Sequence, residues 1–144
     1  MILEGIKALQ GYGYTLLTNK GYDSIGRICL THSFPNKNGM ELDSYIGTND
    51  CSNDEIHKIQ YELNNCIYND YDKLIQLCDS VCMAEGVCLL EVRLIDVVRR
   101  YNVYNKQILK KWNEYFEIKK YFDKKCNINI YSLFYEEIIK NSLR

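Results

Sequence analysis

Two histidines, seven cysteines and a set of aspartates are the side chains in this chain that could do chemistry. His32 sits in "GRICLTHSFPNKNG" (26–39), where an apolar, helix-like segment runs into a loop of Pro, Asn and Gly. At such a junction the imidazole is a metal ligand, a helix-end group that donates to a terminal carbonyl, or an incidental polar residue. Asp79 lies inside the apolar run "LIQLCDSVCMA". Helical spacing places it either on the wet side beside Gln76 or leaning inward beside Ile75 and Cys82. A buried carboxylate costs several kcal/mol unless it is paired or ligates a metal. One histidine and one carboxylate on separate helices make a partial site for a divalent cation. His57, between Ile56 and Lys58, reads as an exposed helix residue.

The cysteines form no C-x-x-C pair. Cys78 and Cys82 lie one helical turn apart and Cys29 three residues before His32, and neither spacing completes the four-ligand set of a structural zinc. The expectation is free thiols acting as small hydrophobes in a reducing compartment. Walker-type G-x-x-x-x-G-K, G-x-S-x-G and H-E-x-x-H patterns are absent from the sequence. "GYGY" (11–14) falls inside a helical pattern and is no dinucleotide loop.

These residues must be positioned by helices. With one proline and eight glycines in 144 residues, breakers are scarce, and apolar residues recur at three and four spacing, which predicts an all-α fold. The pattern predicts seven helices in a single domain over 1–144. The first covers about Leu3 to Asn19, interrupted by Gly11 and Gly13 and stopped at Gly21. The second covers about Asp23 to Thr31, with Ile25, Ile28 and Cys29 on one face. A polar loop over 33–51 follows. The capping box "SNDE" (52–55) opens a helix to about Asn65. Further helices cover 68–86, with Gly86 as the stop; 89–102, with Val92, Ile95 and Val98 inward; 106–123; and 132–141.

A net charge of −1 gives no broad basic face, which excludes nucleic acid and anionic membrane as electrostatically favoured partners. Apolar residues make up 47 % of the chain, yet no run approaches the roughly 18–20 residues of a membrane span. "MILEGIKALQ" has no small-residue cleavage site and does not read as a signal peptide, so the expected location is cytoplasmic.

Two segments carry a resemblance. "GYTLLTNKGYDSIGRICLTHSFPN" (13–36) and "YDKLIQLCDSVCMAEGVCLLEVRLIDVVRRYN" (71–102) together resemble the later part of a bacterial HD-domain metal-dependent phosphohydrolase. The resemblance implies an all-α HD-type domain, truncated at its N-terminal side. It implies hydrolysis of phosphate esters, among them nucleotides, by water activated on one or two divalent metals (Mg, Mn or Fe). His32 matches a later metal histidine of that family and Asp79 its closing aspartate. Arg27 lies one and a half turns before His32, and Arg93, Arg99 and Arg100 follow the aspartate helix; arginine forks suit phosphate, which makes Arg27 and Arg93 candidate substrate contacts.

The His-Asp doublet that names the family is absent, since His32 precedes Ser33 and His57 precedes Lys58. A hydrolytic metal needs about three protein ligands and an open water position. The expectation is therefore an inactive or weak hydrolase in this chain, with no residue assigned as catalytic. The alternative is a non-catalytic helical interaction module derived from the HD scaffold. Uncovered apolar surface would then favour a homodimer.

Overall fold

The computed structural model describes residues 11–35, 52–102, 104 and 106–142. These are all-α, with seven α-helices and one two-stranded pairing among them. The helices are α1 (Tyr14–Asn19), α2 (Asp23–Thr31), α3 (Asn53–Asn65), α4 (Asp70–Val81), α5 (Leu90–Tyr101), α6 (Lys106–Cys126) and α7 (Tyr135–Ser142). The start of the expected first helix, 3–10, and the expected loop from residue 36 to 51 lie outside the described residues. The chain resolves into two compact units, Met1–Ile75 and Gln76–Arg144, each with its own core.

In the first unit, α1 ends on a Schellman turn. The Gly21 N–H donates to the Thr18 carbonyl and the Tyr22 N–H to the Leu17 carbonyl, both at 2.9 Å. Gly21 takes φ +81°, the left-handed conformation that a helix C′ residue requires. The chain then reverses into α2, which packs against α1 at Gly26. A Cβ there would lie 2.8 Å from the Thr18 Oγ1. This close approach sets which face of α2 is inward. Gly26, Leu30 and Thr31 are buried, whereas Ile25, which the pattern puts on one face with Ile28 and Cys29, is exposed. Leu30 and Phe34 join Ile59 and Leu63 of α3 in the unit's core, with Tyr14 and Ile56 against it. The α3 capping box forms as the sequence predicts. The Glu55 N–H donates to the Ser52 hydroxyl, and the Glu55 carboxylate accepts from the Ser52 N–H at 2.8 Å.

The second unit is built on Leu77 and Val81 of α4, Leu90 and Leu94 of α5, and Tyr115, Ile118 and Phe122 of α6. Ile95, expected inward, is exposed, because the buried stripe of α5 runs through Leu90 and Leu94. The expected helix over 68–86 stops at Val81. Cys82–Met83 pairs antiparallel with Gly86–Val87 around a two-residue turn. Gly86, at φ +121°, belongs to this hairpin and is no helix stop. Helix α7 covers the open edge of the second strand. The Glu137 carboxylate accepts from the Val87 N–H at 3.3 Å, and the Asn141 Nδ2 donates to the Val87 carbonyl at 2.9 Å. Leu89 precedes α5 but has no side chain able to cap it. Instead, the Leu90 N–H donates to the Tyr131 hydroxyl at 2.9 Å. Tyr131 comes from a 3-10 turn over Ile130–Phe134, where a plain α-helix from Ser132 is predicted.

Candidate functional site

His32 closes α2. Its backbone N–H donates to the Ile28 carbonyl at 3.0 Å, and its Nδ1 lies 2.9 Å from the Cys29 carbonyl. A carbonyl only accepts, so this bond puts the proton on Nδ1 and leaves the lone pair on Nε2. The ring is half-buried, and Nε2 has no hydrogen-bond partner among the described residues. Of the roles open to this histidine, the helix-end donor is thus realised by one nitrogen, and the other keeps the electron pair that a metal would take.

Arg27 lies about one and a half turns earlier on α2 and is held by the protein through its Nε. Its Nε donates to the Asp72 Oδ1 at 3.2 Å. Asp72 is fully buried and carries a set of bonds that no sequence pattern above singles out. Its Oδ1 also accepts from the Thr31 hydroxyl at 2.8 Å, and its Oδ2 from the Asn69 N–H at 2.7 Å. The Asn69 Oδ1 in turn accepts from the Tyr71 and Asp72 N–H groups. "NDYD" (69–72) is thus a capping box made of Asn and Asp rather than Ser and Glu. The signal was present in the sequence in that altered form. The buried carboxylate of α4 is therefore Asp72, and its partners are those a buried carboxylate requires.

Asp79, in the second unit, lies on the exposed side of α4. It makes no hydrogen bond or ion pair among the described residues. Its charge still reaches its neighbours. Burial pushes the Lys111 ammonium down to about 8, against an opposing pull from Asp79. Burial pushes the Tyr115 phenol well up, Asp79 adds to the shift and Arg93 opposes it. Burial raises the Cys82 thiol, with Asp79 adding and Arg93 opposing. The Cys78 thiol is raised first by burial and then by Cys82 and Asp79. Thiols held protonated in this way are poor nucleophiles and poor metal ligands. No disulfide joins the cysteines among the described residues.

Arg93, on α5, donates from Nη1 to the Asp96 Oδ2 at 3.4 Å, while its Nε is buried without a hydrogen-bond partner. Asp96 also pairs with Arg100. Lys111 lies over the Tyr115 ring, 5.9 Å from its centroid. Around Asp79 the second unit thus gathers two cationic side chains, Arg93 and Lys111. Arg93 was readable from the sequence, but Lys111 was not, being one of several lysines on a charged helix. His57 is exposed on α3, as the sequence suggests.

Among the described residues, no group of three or more His, Cys, Asp or Glu side chains comes together in a way that could hold a metal ion. No helix among them is long and apolar enough to cross a membrane. Comparison of the chain with family models, curated proteins and solved structures finds no match.

Proposed function

We propose that this chain is an HD-type domain derived from metal-dependent phosphohydrolases. In this reading His32 and Asp79 are each a ligand position for a divalent cation, and Arg93 is a contact for a phosphate ester. One observation carries the reading. The two residues that the resemblance assigns as ligands each keep a donor atom without a hydrogen bond among the described residues, the Nε2 of His32 and the carboxylate of Asp79. The Arg27 Nε and the Asp72 carboxylate, by contrast, are engaged with each other, and Asp72 also with the start of α4. A neutral imidazole whose Nδ1–H is held by a carbonyl is the form in which histidine ligates metals. The cation would supply a Lewis acid that polarises the ester and lowers the pKa of a bound water. Arg93 would orient the phosphate through its guanidinium group.

Two ligands hold a hard divalent ion weakly against water. The expected behaviour is thus weak metal binding at His32 and at Asp79, with little or no turnover by this chain alone. Mn²⁺ titration followed by NMR line broadening should mark His32 and the residues around Asp79, and His32→Ala and Asp79→Ala should each weaken the effect. p-Nitrophenyl phosphate should be hydrolysed at or near the uncatalysed rate. Rapid Mn²⁺-dependent turnover abolished by Asp79→Ala would overturn the claim of inactivity, and absence of broadening at both residues would remove the metal reading altogether.

A second reading, an interaction module without chemistry, is favoured by the apolar side chains that α4 leaves exposed. Tyr71, Leu74 and Ile75 share one face at i, i+3 and i+4, and are 69 %, 41 % and 38 % exposed. Equilibrium sedimentation decides it. A concentration-dependent dimer weakened by Leu74→Glu supports this reading, and a monomer at high concentration counts against self-association.

A further inference from the structure

The turn that carries His32 is held from both sides by one short segment. Before His32, the Thr31 hydroxyl donates to the Asp72 Oδ1 at 2.8 Å. After it, the Phe34 carbonyl accepts from the Tyr68 hydroxyl at 2.8 Å. Between these anchors the Phe34 N–H closes the turn onto the Thr31 carbonyl at 2.9 Å. Both anchoring side chains lie within 68–72, the residues that start α4. Asp72 is itself fixed, because its Oδ2 takes the Asn69 N–H and its Oδ1 takes the Arg27 Nε as well. Thr31 and Asp72 are fully buried and Phe34 is 2 % exposed.

A helix end needs only a cap, and α2 already has one in the His32 N–H and the 31–34 turn. The further bond to the Phe34 carbonyl adds no cap to α2. Its effect is on register. Winding or unwinding α2 by one residue would break either the Thr31 or the Phe34 anchor, and would turn the imidazole by about 100° around the helix. With the register fixed and Nδ1 tied to the Cys29 carbonyl, the direction of the Nε2 lone pair is set before any ligand arrives.

We propose that Tyr68 and Asp72, acting through Phe34 and Thr31, are positioning residues that aim the Nε2 of His32. As a statement about metal binding this rests on the reading of His32 as a ligand; as a statement about ring orientation it does not. Loss of partners that orient a metal-bound histidine commonly weakens metal affinity by about 10–100-fold.

The test uses the full chain with ¹⁵N-labelled histidine, near pH 8, where imidazoles are mostly neutral. Tyr68→Phe removes one hydroxyl, and Thr31→Val replaces a hydroxyl with a methyl of similar size. In wild type, the ring nitrogens of His32 should show the Nδ1–H tautomer, while His57, exposed and outside the clamp, averages between tautomers. Both variants should keep the wild-type circular dichroism and the His57 signals. Each should shift His32 toward tautomer averaging and reduce its Co²⁺ affinity about tenfold. An unchanged His32 tautomer in both variants would overturn the proposal. If Co²⁺ does not perturb His32 in wild type, the metal reading fails, and the metal-free tautomer comparison still decides the clamp.

Discussion

Replacing Asp72 with alanine tests whether the first unit depends on one buried carboxylate. The side chain has no solvent exposure and serves three donors, from Thr31, Arg27 and Asn69. Their contributions are unequal. Thr31 is fully buried, and a buried hydroxyl that loses its acceptor costs about 1–3 kcal/mol. The reach-back half of the α4 capping box contributes about 1 kcal/mol. The Arg27 side chain is 28 % exposed and regains water when its partner goes, so its share is below about 1 kcal/mol. These terms overlap, and the expected cost is about 3 kcal/mol, a large part of the stability of an ordinary domain. Urea unfolding gives the total, and amide exchange across α2 and the start of α4 shows where protection is lost. Double-mutant cycles then apportion it. Asp72→Ala with Thr31→Val should be less than additive by about 1–2 kcal/mol, and Asp72→Ala with Arg27→Met by under about 1 kcal/mol. A total cost below about 1 kcal/mol, or stronger coupling to Arg27 than to Thr31, would refute the reasoning.

Gly86→Ala places a methyl 3.2 Å from the Glu137 Oε2 at φ +121°. It should lower thermal stability by about 1–3 kcal/mol and expose the Val87 amide to exchange. Tyr14 is pushed up to about 12, by burial first and then by its 2.9 Å hydrogen bond to Glu62. Because the folded value lies above the ordinary phenol value of about 10, its stabilisation is complete below about pH 10 and is lost between about 10 and 12. Tyr14→Phe should flatten the loss of stability measured across that interval. For Asp123, burial pushes the carboxyl up, but the hydrogen bonds from Lys119 and from the Ile130 N–H outweigh it and leave the carboxyl below the usual range. Its contribution is full above the ordinary carboxylate range and falls away as acidification passes through that range to the folded value. Asp123→Asn should therefore reduce the acid sensitivity of the urea midpoint below about pH 4.

The local signals that the sequence spells out are those whose chemistry closes within a few residues. Ser52 to Glu55 and the Gly21 stop both form as their spacing predicts. Hydrophobic period gave the helices but not their rotation. Ile25 and Ile95 fit an apolar stripe, yet both are exposed, and in α2 what turns the helix is the close approach that Gly26 permits to α1, a contact between elements. The hairpin at 82–87 was hidden because two-residue strands are too short to show alternation. Asp72 and Asp79 mark the deeper limit. Seven residues apart at about 100° per residue, they lie only about 20° apart around α4, so no periodicity argument separates them. One is fully buried, and the other is exposed. The difference lies in what meets the helix at each level: Arg27 and Thr31 of α2 at Asp72, and the charges of α5 and α6 near Asp79. The resemblance singled out Asp79 where the pattern alone separates neither aspartate from the other. A carboxylate that accepts from three donors can be buried, as Asp72 is, and Asp79, with no such donors among the described residues, stays at the surface of the same helix.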